Sequence, residues 1–123
     1  MPHVHPTGLL IDDHDDARDG LTQLIRAEGY GVETARNGRE ALRVLRDVKP
    51  CIILLDLMMP DMTGYDFRTA QLADDDLREI PVILCSAIHD LGERAHQMGA
   101  SAYMGKPIEF TRLMELIRTH CLK

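Results

Sequence analysis

Four short apolar runs, and a fifth, weaker one that carries Glu33 and Thr34, alternate along this chain with five longer segments whose apolar residues recur at helical spacing. The runs are Gly8–Ile11, a weaker one over Gly31–Ala35, Cys51–Leu55, Pro81–Cys85 and Ser101–Met104. A strand with no polar face is buried on both sides. Such strands belong to parallel sheets covered by helices on both faces. The intervening segments supply the helices. Ala17, Leu21, Leu24 and Ile25 form one stripe, and Ala41, Val44, Leu45 and Val48 a second. Tyr65–Ala73 and Leu91–Met98 follow, and Leu113, Leu116, Ile117 with His120 or Cys121 make the last. Asp15 and Asp16 suit a helix start, while Gly29 and Gly99 suit helix ends. Asn37-Gly38, the loop Met58–Gly64 and Asp74-Asp75-Asp76 read as turns. The prediction is one α/β domain over residues 8–123, with right-handed crossovers and a short extension over residues 1–7. The chain ends within the last helix, with no linker, repeat or effector domain expected.

Length and charge narrow the function. A chain of 123 residues makes one domain with a single layered core. A net charge of -6 argues against a nucleic-acid surface, which needs clustered Lys and Arg. No apolar stretch approaches the roughly 20 residues that span a membrane. The start, Met1-Pro2-His3-Val4-His5-Pro6, lacks the basic and apolar regions of a signal peptide, and His3 and His5 read as part of a frayed terminus. Cys51, Cys85 and Cys121 are odd in number, widely spaced and without a C-x-x-C pair, so neither a disulfide framework nor a zinc site is expected. Cys51 and Cys85 read as small buried hydrophobes, and the usage as that of a reducing, cytoplasmic setting.

The chemistry lies at the ends of the runs. Asp12 and Asp13 follow the first, Asp56 the third, Ser86 the fourth and Lys106 the fifth. In an open parallel sheet, ligands bind beyond the carboxyl ends of the strands, so these residues converge on one rim. An aspartate attacking a phosphoryl group faces charge repulsion. A divalent cation, a fixed ammonium and a hydroxyl donor each relieve it. Asp12, Asp13 and Asp56 suit Mg²⁺, which prefers oxygen ligands and few carboxylates. Asp56 is the natural nucleophile, Lys106 the ammonium and Ser86 the hydroxyl.

The segments Leu10–His14, Asn37–Leu42, Leu54–Gly64, Pro81–Ala87 and Gly99-Ala100 through Lys106-Pro107 carry a resemblance to the receiver domain of two-component response regulators, over nearly all of Leu9–Leu122. The resemblance implies a flavodoxin-like (βα)5 three-layer sandwich with sheet order 2-1-3-4-5. It implies that Asp56 accepts a phosphoryl group from a phosphohistidine on a histidine kinase or a histidine phosphotransfer protein. Asp13 and Asp56 would ligate Mg²⁺, Asp12 would act largely through water, and the Met58 backbone carbonyl would complete the protein ligands. Ser86 and Lys106 would hold the phosphoryl oxygens, Tyr103 would be the switch aromatic, and the bond before Pro107 would be cis. The readout face would be the fourth helix, fifth strand and fifth helix. The resemblance implies a regulatory protein that catalyses only its own phosphoryl transfer and loss, as a monomer or a phosphorylation-dependent dimer.

Other readings meet obstacles. A haloacid dehalogenase-type hydrolase needs a second Asp where Met58 stands. A flavodoxin needs a phosphate loop where Asp12-Asp13 would repel FMN. A calcium loop starting at Asp13 needs an oxygen ligand where Ala17 stands. A phosphorylation-independent interaction domain would not need the intact acidic cluster and lysine. Two departures from the family pattern stand out. Ser86 replaces the commoner Thr and loses its methyl. Met58 and Ile88, at positions that influence water attack on the acyl phosphate, cannot orient water, which predicts slow autodephosphorylation.

Overall fold

The computed structural model describes residues 7–59 and 62–121. Strands β1 (Thr7–Ile11), β2 (Gly31–Ala35), β3 (Ile52–Leu55), β4 (Val82–Ser86) and β5 (Ala102–Gly105) alternate with helices α1 (Asp15–Ala27), α2 (Gly38–Val48), α3 (Gly64–Leu72), α4 (Leu91–Met98) and α5 (Phe110–His120). The strands form one sheet in the order β2-β1-β3-β4-β5, and every pairing is parallel. This is the expected flavodoxin-like sandwich. Apart from Thr7, which opens β1, the expected N-terminal extension lies outside the described residues, as do His3, His5, Pro60 and Asp61.

Strand alternation divides the core. Leu9, Ile11, Ala35, Ile53, Leu55 and Leu84 point to one face and pack with Ala41 and Leu45 of α2, Phe67 of α3, and Leu91 and Ala95 of α4. Leu10, Val32, Ile52, Leu54, Ile83, Cys85 and Met104 point to the other, against Ile25 of α1 and Leu113, Met114 and Ile117 of α5. Period-two alternation therefore assigns the two helical layers.

Local chemistry sets the helix ends. The Asn37 side chain accepts from the Glu40 N–H at 2.8 Å, a cap on α2. Thr63 and Asp66 form a capping box on α3. Lys49 ends α2 with φ 48°, an unusual left-handed residue that turns the chain ahead of Pro50. Gly99 ends α4 at φ 66°, where a side chain would be strained.

Two sequence expectations are corrected. In α1 the inward residues are Arg18, Thr22 and Ile25, while Ala17 and Leu24 are exposed. The helix turns Arg18 inward because its guanidinium donates to the Asp12 carbonyl at 2.9 Å. The second correction concerns the cysteines. Cys51 and Cys121 form a disulfide, with Cα atoms 5.4 Å apart across 70 residues of sequence, so the expectation of no disulfide fails. Cys51 stands just before β3, half-buried, and not inside the strand. Cys121, the residue just beyond α5, meets it there because α5 runs antiparallel to the strands and ends at their amino edge. Cys85 alone is free, and burial pushes its thiol pKa up to about 12.

Candidate phosphoacceptor site

The sheet register builds the site. Ile11 of β1 is paired with Leu55 of β3, so the residues that follow, Asp12 and Asp56, emerge side by side. The ladder continues one step beyond the strands: the Asp12 N–H donates to the Ala35 carbonyl and the Asp56 N–H to the Ile11 carbonyl, both at 3.1 Å. Both backbones are thus held by the sheet rather than by a loop. Ser86 ends β4 beside Gly105 of β5, and the Lys106 N–H donates to the Ser86 carbonyl at 3.1 Å. The Lys106-Pro107 peptide bond is cis.

Lys106 closes the cluster. Its Nζ donates to Asp12 Oδ2 at 2.9 Å and to Asp56 Oδ2 at 3.1 Å. The second Asp56 oxygen accepts from the Met58 N–H at 3.0 Å. Asp12 is 3% exposed, Asp56 4% and Ser86 1%. Burying two carboxylates near each other is unfavourable without a cation, and one ammonium shared between them supplies it. Burial pushes the Asp12 carboxyl up. Hydrogen bonds from Lys106 and from the His14 backbone and ring, with the Lys106 charge, outweigh it and leave Asp12 below its ordinary range. Lys106 mirrors this: burial works against its charge, but the hydrogen bonds to both carboxylates and their charges leave its pKa raised.

Three of the residues picked out from sequence, Asp12, Asp13 and Asp56, lie with His14 in a group whose ligand atoms all fall within 4.8 Å of one another. Asp13 Oδ1 is buried and has no hydrogen-bond partner. Such an acceptor, without a hydrogen bond and facing the His14 ring at 3.2 Å, fits a divalent cation in this oxygen-rich group. A cleft lined by His14, Asp56, Met58, Ser86, Ala87, Ile88 and Lys106 opens over Asp56. The Met58 side chain, at its mouth, is 63% exposed. Tyr103 stands apart from the cluster. It is 49% exposed and its ring lies against Gly92 of α4, where a Cβ would sit 2.9 Å from Tyr103 Cζ and Oη.

The sequence alone gives no part to Arg18 and places His14 only within the motif Leu10–His14. The His14 N–H donates to Asp12 Oδ1 at 2.9 Å. Its ring Nδ1 lies 3.0 Å from the same oxygen and 3.2 Å from Asp13 Oδ1. The hydrogen bond with Asp12, and the charges of Asp13 and Asp12, raise its pKa. Arg68 of α3 was also missed. Nearly buried, it donates to the Met98 and Gly99 carbonyls at 3.0 Å and caps α4 from across the helix layer. Its own burial lowers its pKa. No local pattern announces contacts over such separations.

A doubly wound parallel sheet with an aspartate cluster, a lysine and a hydroxyl at its carboxyl rim places the chain among open α/β proteins that gather their functional side chains at the strand ends. The chain belongs to the response regulator receiver domain family, whose model matches residues 9–118. It is 36% identical over 114 residues to a polar-differentiation response regulator DivK of Brucella anthropi, covering 91% of this chain and 93% of that relative. The Brucella ovis DivK is 34% identical over the same length. Among solved structures, the chemotaxis protein CheY4 of Vibrio cholerae superposes with a TM-score of 0.85 at 25% identity, covering 95% of this chain and 99% of that one. A signal receiver domain of a signal transduction histidine kinase from Syntrophus aciditrophicus gives 0.84 at 32% identity, covering 93% and 88%. Receiver domains are regulatory parts of two-component signalling, and phosphorylation-dependent switching is general to the family. No helix among the described residues is long and apolar enough to cross a membrane.

Proposed function

We propose that this protein accepts a phosphoryl group on Asp56 from a phosphohistidine of a sensor kinase or phosphotransfer protein, and signals through its α4-β5-α5 face. The observation that carries the reading is the ammonium of Lys106 bridging Asp12 and Asp56 at the end of two adjacent strands. In the transfer, an Asp56 carboxylate oxygen forms the new O–P bond as the P–N bond of the donor breaks; the electron pair of that bond stays on the ring nitrogen, and the ring, protonated on its other nitrogen, leaves as neutral imidazole. Lys106 then follows the charge from the carboxylate to a phosphoryl oxygen, and Ser86 donates its hydroxyl to another. Mg²⁺, held by Asp13, Asp56 and the Met58 carbonyl with Asp12 acting through water, would supply the charge that offsets carboxylate–phosphoryl repulsion.

The phosphoryl group adds about -1.5 to -2 charge and three acceptors. Movement of Ser86 toward it vacates space beside β5. Tyr103, now exposed against α4, is placed to turn inward and change the face a partner reads. Apolar Met58 and Ile88 at the cleft leave water unoriented, so the acyl phosphate is long-lived.

The test is incubation with a small-molecule phosphodonor, with and without Mg²⁺, followed by intact-mass measurement, with Asp56→Asn as control. One Mg²⁺-dependent phosphoryl adduct, absent from the variant, supports the reading. A folded protein that gains no adduct from donor or phosphorylated kinase refutes it in favour of a phosphorylation-independent interaction domain.

A further inference from the structure

We infer that His14 is a nitrogen ligand of the metal site and gives this receiver a preference for borderline divalent transition ions (Co²⁺, Ni²⁺, Zn²⁺) that an all-oxygen site lacks. The inference rests on the reading of the acidic cluster as a metal site. Its basis is the placement of one ring atom. His14 Nδ1 lies 3.0 Å from Asp12 Oδ1 and 3.2 Å from Asp13 Oδ1. Two ligands bound at right angles to one ion, each about 2.1 Å away, stand about 3.0 Å apart. His14 Nδ1 and Asp13 Oδ1 therefore already stand at about the separation of neighbouring corners of one coordination shell, and the ligand atoms of the whole group lie within 4.8 Å of one another.

The backbone holds the ring there. His14 is the residue immediately before α1, in an extended conformation (φ -90°, ψ 107°), and its side chain makes no cap hydrogen bond to the helix. Its N–H is tied to Asp12 Oδ1, which fixes the residue against the cluster, while the ring remains largely exposed and open to an arriving ion. Mg²⁺ takes oxygen ligands and gains little from imidazole. Imidazole suits zinc and nickel, and affinities of mixed N/O sites rise from Mn²⁺ toward Cu²⁺.

The test measures Mg²⁺ and Ni²⁺ dissociation constants by calorimetry, and the visible absorption of bound Co²⁺. Both use the full chain with His3 and His5 changed to Gln, so that these imidazoles do not contribute. His14→Asn keeps an N–H donor near the Nδ1 position and removes the imidazole ligand. The expected result is a loss of Ni²⁺ affinity of at least about tenfold, a change in the Co²⁺ spectrum, and Mg²⁺ affinity within about twofold. Equal Ni²⁺ affinities and identical Co²⁺ spectra, with Mg²⁺ still bound, overturn the role of His14 and leave the metal site standing. Binding of no ion at all, or binding unaffected by Asp13→Asn, overturns both. Thermal unfolding of each variant without metal separates a lost ligand from a lost fold.

Discussion

A single methyl group, added at two glycines, is expected to have opposite effects. Gly64 is the first residue of α3 and its N–H donates to the Leu57 carbonyl at 3.1 Å. A Cβ there would lie 2.8 Å from both the Asp56 carbonyl oxygen and Leu57 Cα. Both are backbone atoms, and ordinary contact begins at 3.4 Å, so one of the two segments must move by about 0.6 Å. Overpacking of this kind destabilises by about 1–3 kcal/mol, or very roughly 4–12 °C in Tm for a chain of this length. Gly20, inside α1, has nothing within 4 Å of its Cβ position. Gly20→Ala gains helix propensity and is expected to stabilise by about 1 kcal/mol. Because one of the two segments carries Asp56, Gly64→Ala should also slow phosphoryl uptake at temperatures where the variant is fully folded, and Gly20→Ala should not. Urea titration and intact-mass time courses read both effects. A Gly64→Ala protein with wild-type stability and uptake would refute the claim that this backbone cannot yield.

The remaining expectations concern charge, thiols and phosphate lifetime. Lys106→Met removes the donor that offsets burial at Asp12. The wild-type Asp12 pKa is depressed, so its contribution to stability is present above about pH 4 and is lost as pH falls through the folded value. In the variant, burial is opposed by the His14 hydrogen bonds alone, and the NMR-detected Asp12 pKa should rise from its depressed value; no change would disprove the pairing. The oxidised chain, unfolded without reductant, should titrate one thiol, that of Cys85, and three after reduction; three without reduction would contradict the disulfide. Closing a 70-residue loop limits the unfolded chain by roughly 4 kcal/mol on the chain-entropy view, so reduction should lower the urea midpoint clearly. In the native state Cys85 remains a buried thiol until about pH 12, so iodoacetamide should modify it at pH 9 only at the rate of unfolding. Met58→Asn, which adds a group able to orient water at the cleft mouth, should shorten the phosphoryl lifetime severalfold, measured by loss of the mass adduct.

Much of this architecture is legible locally. A run such as Cys51–Leu55, apolar on both faces, has no stable place except a covered parallel strand. A polar residue just after each such run lands on the carboxyl rim whatever the strand order. That is why Asp12, Asp56, Ser86 and Lys106 were accessible to reasoning from sequence, and why the helix-ending Gly99 and the helix-opening Asn37 declared themselves. Contacts made between elements were not accessible. Strand order and helix docking brought Cys121 onto Cys51, rotated α1 to bury Arg18 in place of Ala17, and carried Arg68 to the end of α4. The same docking aimed the His14 ring at two carboxylates, where its position in the chain indicated only a helix start. Backbone periodicity is a property of neighbours in sequence, and it determined the layers and the rim. The pairing of side chains tens of residues apart depends on how whole elements pack, and only the tertiary structure decided it.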